Sequence, residues 1–390
     1  MTLSGFHIEI RGTVQGVEYR PWVFQLAERK DIRGVVWNDS AGVSLDAFGT
    51  PDALDGFVTA LRSAAPPAAR VRSVTSTAIA FVAHSAFVMT DSVESAERLV
   101  SIPADLATCD DCLRELLDPA DRRYRYPFIN CTNCGPRYSF VRETPYDRAN
   151  TSMAPFHMCE RCRHEYASPE DRRFQADANA CPDCGPRLIA MRSPHEHIAT
   201  PDAIRFAARA IRAGFTVALK GLDGFHLACD ATCSQAVQRL RERKRCEDKP
   251  LAVMVRDLAQ AEEIVDLTGT ERALLMSIER PIVLTRTHAA SPLATQVSGV
   301  IPLTGIFLPC TPLHHLLLQD AGVPLVMTFG NLSDEPIVTT NGEALEKLRD
   351  IADVFLVHNR DIVTRANDSV PAVSAGAPAP PHAAVSAVTG

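Results

Sequence analysis

The segment NCTNCGPR at residues 130–137 is written almost unchanged fifty residues later, as ACPDCGPR at 180–187. Eight of the twelve cysteines fall into CxxC pairs around these phrases: Cys109/Cys112, Cys131/Cys134, Cys159/Cys162 and Cys181/Cys184. Eighteen residues separate the first pair from the second, and eighteen separate the third from the fourth. Adding 50 to any position of the first quartet gives the second. The likeness continues between the pairs, where DPADRRY (118–124) answers SPEDRRF (168–174). The stretch is an internal duplication.

A CxxC turn aims two thiolates at one point, and two such turns supply the tetrahedral ligands of a structural Zn²⁺. A four-cysteine site is closed, so it leaves no position for a substrate or an activated water. Redox CxxC motifs usually stand alone in a βαβ context, which this pattern lacks. The reading is therefore two zinc-stapled modules over 105–190. Their metal supplies folding energy to a region poor in apolar periodicity. The chemistry is expected on either side of them. Cys229, Cys233, Cys246 and Cys310 share no spacing.

The rest of the composition sets the class. The chain has 390 residues, 46% hydrophobic and 22% charged, enough for two or three cored domains. Its net charge of −7 argues against general attraction to nucleic acid or membranes. No apolar run reaches the roughly 20 residues of a spanning helix, and the N-terminus lacks a signal-peptide layout. A cytoplasmic protein without stable disulfides is expected.

Residues 1–92 read as one α+β domain. FHIEIRGTV (6–14) alternates as a strand, and PWVFQLAERK (21–30) follows at helical spacing. GVVWND (34–39) and GVSLDAFG (42–49) are short strands. PDALDGFVTALRS (51–63) is a helix opened by Pro51 and Asp52, and RVRSVTSTAIA (70–80) returns to strand. The order β-α-β-β-α-β is the ferredoxin-like arrangement. In the connection GTVQGVEYR (12–20), Gly12 and Gly16 permit an inward-facing nest of amides at a helix N-terminus, and Arg20 adds a bidentate grip on phosphate.

Residues 200–370 alternate helix and strand as an α/β domain, after a linker at 191–201. The run RLRERKRCEDK (239–249) packs six basic residues, and reads either as a solvated helix face or as a polyphosphate clamp. Lys220 sits at a strand end, and GNLSDEP (330–336) brings Asn331 and Ser333 after another strand. Residues 371–390, rich in Pro and Ala, read as a disordered tail.

GTVQGVEYR with VVWNDSAG resembles the acylphosphatase signature. That resemblance implies a phosphate loop formed by Gln15, Gly16, Val17, Glu18 and Tyr19, with Arg20 on the substrate phosphate and Asn38 orienting the attacking water. KGLDGFHLACDA, RERK…KPLAVM, GNLSDEP and FLVHNRDIV are similar to YrdC-like carbamoyl-adenylate-forming domains. The full order resembles the carbamoyltransferase HypF family of hydrogenase maturation. The resemblance implies hydrolysis of carbamoyl phosphate, passage of carbamate, and its activation by ATP with Mg²⁺ at Lys220, Lys244, Arg245, Lys249, Asn331 and Ser333. It further implies transfer to a HypE-like partner on the way to the cyanide ligands of a nickel–iron centre. The transferase domain expected for that last step would begin where the given sequence ends, and a separate chain supplying it is an expected partner.

The sequence departs from the pattern in three places: after Val370, where the transferase domain would begin, at position 246 and at position 329. Glu18 puts a negative charge in the phosphate loop. Cys246 stands where the family's Lys-x-Arg places Arg, and Phe329 where it places Ser. Each lost charge-assisted hydrogen bond to phosphate costs about 1.5–3 kcal/mol. Three readings result: an enzyme making carbamoyl-adenylate, an acylphosphatase with a degenerate YrdC-like domain, or a non-enzymatic relic or partner-binding module.

Overall fold

A computed structural model of the chain describes residues 3–17, 19–39, 41–66, 69–90, 102–246, 249–298, 302–332 and 335–365, with 373–374 and 377–378. The chain divides into two compact units, Met1–Asp105 with Asn130–Gly185, and Leu106–Ile129 with Pro186–Gly390.

The first unit opens with β1 (Ser4–Thr13), α1 (Tyr19–Arg29), β2 (Arg33–Asp39), β3 (Gly42–Gly49), α2 (Pro51–Ser63), β4 (Arg70–Ile79) and β5 (Phe87–Met89). The sheet order is β4-β1-β3-β2-β5, the ferredoxin-like order with β5 added in parallel beside β2. Alternation decides which face is covered: Ile8 and Ile10 of β1 are fully buried, as are Val43, Leu45 and Ala47 of β3. Thr50 caps α2, its hydroxyl accepting from the Ala53 amide at 3.4 Å, and Pro51 takes the first helical position. Leu54, Phe57 and Leu61 then fall on one face against the sheet.

The duplication is visible in the backbone. Helix α3 (Asp110–Leu117) starts after Cys109 and α4 (Glu160–Ala167) after Cys159. Neither cysteine uses its thiol to cap its helix. Instead each presents sulfur at a helix N-terminus, where the exposed amides favour thiolate. Arg125 and Gln175, equivalent in the two copies, share a left-handed φ of 56°. In the second copy Sγ separations are 3.8 Å for Cys159–Cys181, 3.8 Å for Cys181–Cys184 and 3.7 Å for Cys162–Cys184. Thiolates at about 2.3 Å from a tetrahedral Zn²⁺ have edges of about 3.8 Å. The thiols of Cys109, Cys112, Cys131 and Cys134 likewise lie within 4.8 Å of one another. Both quartets fit zinc fingers.

The second unit carries a ten-stranded mixed sheet among the described residues. Its elements are β6 (Leu188–Ser193), β7 (Glu196–His197), α5 (Ala203–Arg212), β8 (Val217–Lys220), β9 (Phe225–Asp230), α6 (Ser234–Lys244), β10 (Val253–Met254), α7 (Leu258–Glu262), β11 (Val265–Asp266), α8 (Gly269–Met276), β12 (Val283–Thr287), β13 (Leu303–Phe307), α9 (Pro312–Ala321), β14 (Leu325–Phe329), α10 (Asn341–Lys347) and β15 (Val354–His358). The order is β11-β12-β13-β10-β14-β9-β8-β15-β6-β7. Parallel pairing occurs at β10–β13 and β8–β15, and the other described pairs are antiparallel. Strand β9 is buried along all six residues, which is why its sequence, FHLACD, shows no alternation.

Two expectations are revised. The stretch 191–201, read as a linker, supplies the end of β6 and pairs with β7 as a hairpin at the sheet edge. In the tail 371–390, Val373–Ser374 pairs antiparallel with Ala377–Pro378, and the rest of it lies outside the described residues. Glu18 and Ser333 also lie outside them. Among the described residues no helix is long and apolar enough to cross a membrane.

A structural zinc site contributes about 10–16 kcal/mol of apparent folding energy. Cys162 is fully buried, so Cys162→Ser is expected to lower bound zinc from two ions per chain to one and to lower Tm. Elemental analysis with calorimetry checks this; retention of both ions would refute the assignment.

Candidate functional site

Strand β1 ends in a bulge at Arg11/Gly12, and the chain then turns through residues 14–17 into α1. Gly16 has φ of 69°, and a Cβ there would meet the Tyr146 ring at 2.9 Å. Glycine is therefore required both by the left-handed backbone and by the ring packed over it. The turn, the start of α1 and the end of β2 line a cavity of about 40 Å³ with residues from 131–132, 137, 146 and 175–178.

Two expected residues meet there. Arg20 is buried on the first turn of α1, and its Nη2 lies 3.5 Å from Asp147 Oδ1. Asn38, at the end of β2, is buried, and its Oδ1 has no hydrogen-bond partner. A buried, unpaired carbonyl oxygen costs about 1–3 kcal/mol, so its retention at a cavity marks a site awaiting a donor. Asp39 anchors the following turn: its Oδ1 accepts from the Ala41 and Gly42 amides, each at 2.7 Å. Burial opposes ionisation of Asp39, but the Ser44 hydroxyl, these amides and Arg11 outweigh it and lower its pKa.

The loop residues divide by role. Gly16 lines the cavity, and so does the Gln15 side chain, but that side chain is a brace. Its Nε2 donates to the Asp39 and Gly42 carbonyls, each at 2.6 Å, and its Oε1 accepts from the Tyr146 amide at 3.2 Å. Val17 is in the core, and Tyr19, also lining the cavity, donates its hydroxyl to the Leu61 carbonyl at 2.7 Å. Burial raises the Tyr19 pKa.

Four contributors come from the finger segment and were not anticipated. Arg137, the last residue of NCTNCGPR, donates to the Gly16 carbonyl and to those of Cys131, Thr132, Cys134 and Pro136. It thus fastens the CxxC turn to the glycine loop. Tyr146 covers Gly16 and is fully buried, which raises its phenol pKa despite the nearby Arg137 charge. Asp147 pairs with Arg20. Asp177 is 5% exposed and lines the cavity with Arg20. Burial pushes its pKa up to about 6, against the pull of the Arg20 charge. The repeated CGPR phrase was the available signal for Arg137. Nothing local marked Asp177.

In the second unit a cavity of about 420 Å³ has an apolar floor of Leu251, Ile282, Leu284 and Met327 and a polar rim of Lys244, Lys249 and Asn331. Lys244 ends α6, and its Nζ donates to the Phe329 carbonyl at 2.7 Å and to Asn331 O and Oδ1 at 2.6 Å each. Burial pushes its pKa down to about 8. Cys246 and Phe329 line this cavity, as does His226, which was not anticipated. Two expected residues are placed elsewhere. The Lys220 ammonium donates to the His358 and Arg360 carbonyls at 3.2 and 2.9 Å, and burial lowers its pKa to about 8. Arg245 is the exposed, left-handed C-cap of α6, with φ of 57°. The basic run is thus neither wholly solvated nor wholly a clamp. Arg239, Arg241 and Arg243 tie α6 to backbone carbonyls around it, while Lys244 and Lys249 face the cavity.

Comparison with known proteins agrees with this division. The Acylphosphatase family matches residues 6–89, the HypF finger family 108–141 and 158–191, and the Sua5/YciO/YrdC family, described as Telomere recombination, 209–380. Carbamoyltransferase HypF2 of Cupriavidus necator is 48% identical over 382 residues, covering 93% of this chain and 47% of that protein. Carbamoyltransferase HypF of Synechocystis is 45% identical over 372 residues, covering 95% and 48%. A crystal structure of full-length HypF in the phosphate- and nucleotide-bound form superposes with a TM-score of 0.93 at 43% identity, covering 97% of this chain and 49% of that one. The chain spans about half the length of these relatives. With three family matches in this order along one chain, the protein belongs to the HypF family, of which it carries the acylphosphatase, finger and YrdC-like portions.

Proposed function

We propose that the first unit hydrolyses carbamoyl phosphate and that the second activates the released carbamate with ATP as carbamoyl-adenylate. The observation carrying the first step is the buried, unpartnered Asn38 Oδ1 on the same small cavity as Arg20. The phosphoryl group rests on the loop amides around Gly16 and on the Arg20 guanidinium. At 3.5 Å the contact between Arg20 and Asp147 is weak, so phosphate displaces it readily. Asn38 Oδ1 accepts a hydrogen bond from a water and aims it at phosphorus. The bond from phosphorus to the carbamoyl oxygen breaks, giving phosphate and carbamate. Carbamate is a stable leaving anion, so positioning and charge stabilisation do most of the catalysis.

The second step is supported by the shape of the larger cavity. An apolar floor suits a purine, and Lys244, Lys249 and Asn331 on its rim suit phosphates. Mg²⁺ accompanying ATP would spread charge at the reacting phosphate. The relative solved with phosphate and nucleotide bound supports both sites. The carbamoyl group then passes to a HypE-like protein for the cyanide ligands of a nickel–iron centre, in the cytoplasm, with transfer chemistry from a domain outside this sequence. A second reading, acylphosphatase activity alone, is favoured by Cys246 and Phe329 on the larger cavity, where the expected Arg and Ser would have donated to nucleotide.

Arg20→Ala is expected to lower phosphate release from carbamoyl phosphate by about 10²–10³-fold, the effect of losing one preorganised donor. Asn38→Ala should lower kcat with little change in KM. Phosphate assays on folded, zinc-loaded protein check both; unchanged release by Arg20→Ala would refute the site. With ATP added, pyrophosphate should appear only when carbamoyl phosphate is present. Lys244→Ala should abolish pyrophosphate and spare phosphate. Phosphate without pyrophosphate from the unaltered protein selects the second reading.

A further inference from the structure

Asp177 has no function in the hydrolysis described above, yet it is a buried carboxylate on the wall of that cavity. Its two oxygens are not equivalent. Oδ1 accepts from the Tyr166 hydroxyl at 3.1 Å and from the Arg148 amide at 3.0 Å. Oδ2 accepts no hydrogen bond among the described residues. Arg148 is held in turn, its Nη1 donating to the Asp177 and Asn179 carbonyls at 2.5 and 3.0 Å and its Nη2 to the Phe156 carbonyl at 2.7 Å. The carboxylate is therefore locked through one oxygen, leaving the other as an acceptor. The duplication supplies a comparison: the equivalent residue of the first copy is Pro127, which has no polar side chain. The carboxylate is not needed to form a metal-binding module.

Acyl phosphates share the phosphoryl end and differ at the acyl end. Carbamoyl phosphate ends in an NH₂ group that donates hydrogen bonds, and acetyl phosphate ends in a methyl of similar size that does not. A pocket selected by volume alone separates the two poorly. A pocket with a fixed acceptor at the acyl end separates them better, because the methyl excludes water from that acceptor without pairing it. We infer that Asp177 is a specificity-determining residue of the hydrolytic site, its Oδ2 accepting a hydrogen bond from the carbamoyl NH₂ group. This inference rests on the acylphosphatase reading of the cavity. The carboxyl accepts through this oxygen when Asp177 is ionised; because Oδ1 is held by two donors, a proton would settle on Oδ2 and turn it into a donor.

The test compares hydrolysis of carbamoyl phosphate and acetyl phosphate by the zinc-loaded chain. Asp177→Asn is the informative variant. Tyr166 and the Arg148 amide both donate to the Oδ1 position, so the amide oxygen settles there. The NH₂ of the new side chain then replaces Oδ2, turning acceptor into donor at constant size. The expected result is a fall in kcat/KM for carbamoyl phosphate of about 10–100-fold, with acetyl phosphate unchanged or faster. Asp177→Ala should lower the same ratio, with circular dichroism and zinc content reporting its fold. Equal losses on both substrates would show that Asp177 only positions Arg20, and would overturn the inference while leaving the acylphosphatase reading intact. An unchanged ratio in Asp177→Asn would overturn it in the same way. Failure of the unaltered chain to hydrolyse either substrate would overturn both.

Discussion

The Arg137 guanidinium holds five carbonyl oxygens, and the geometry of the first unit's cavity depends on it. Four of these oxygens belong to the CxxC turn and its flanks; the fifth is that of Gly16. The finger segment contains little regular structure, so its carbonyls find few partners in ladders, and buried carbonyls must be paired. A planar, five-donor cation is the economical way to collect them. Arg148 and Arg241 act alike, each gathering several main-chain oxygens where helices and strands leave off. Each charge-assisted bond is worth about 1.5–3 kcal/mol if one partner is removed, so such a centre fixes several turns at once.

The CxxC turn of Cys131 and Cys134 and the glycine loop are therefore linked mechanically. The thiols set the shape of the CxxC turn. That shape sets where the Arg137 head sits, and Arg137 holds the carbonyl of a residue whose amide side is expected to face phosphate. A closed metal site performs no chemistry, but it determines how well the neighbouring loop is preorganised.

Much of this was legible in the sequence. Strands β1 and β2 show their alternation because one face is less buried than the other, and α6 begins and ends at the residues its pattern indicates. The cysteine quartets were legible from spacing alone. Other features had no local signal. Strand β10 has two residues, too few for a period, and the β6–β7 hairpin carries the polar residues of an edge. Asp147 reaches Arg20 across 127 positions, a proximity set by tertiary packing. The arginines of α6 and its end look alike in a list of charges, yet Arg241 is buried among carbonyls and Arg245, four positions on, is exposed, because Arg245 is the left-handed C-cap at which the chain leaves the helix. Gln15 looked like a ligand and is a brace, since an amide can satisfy three backbone groups at once.

The two copies also differ in a way that bears on how such proteins diversify. Arg125 and Gln175 share a left-handed φ of 56°, yet Arg125 grips Asp202 and Asp320 while Gln175 lines the cavity of the first unit. When cysteines carry the folding energy, the residues between them are released from making a core. Mutation can then try new side chains on an already rigid frame with little risk of collapse. A duplicated metal knuckle is in that sense a spare part: one copy keeps the architecture while the other is free to acquire selectivity.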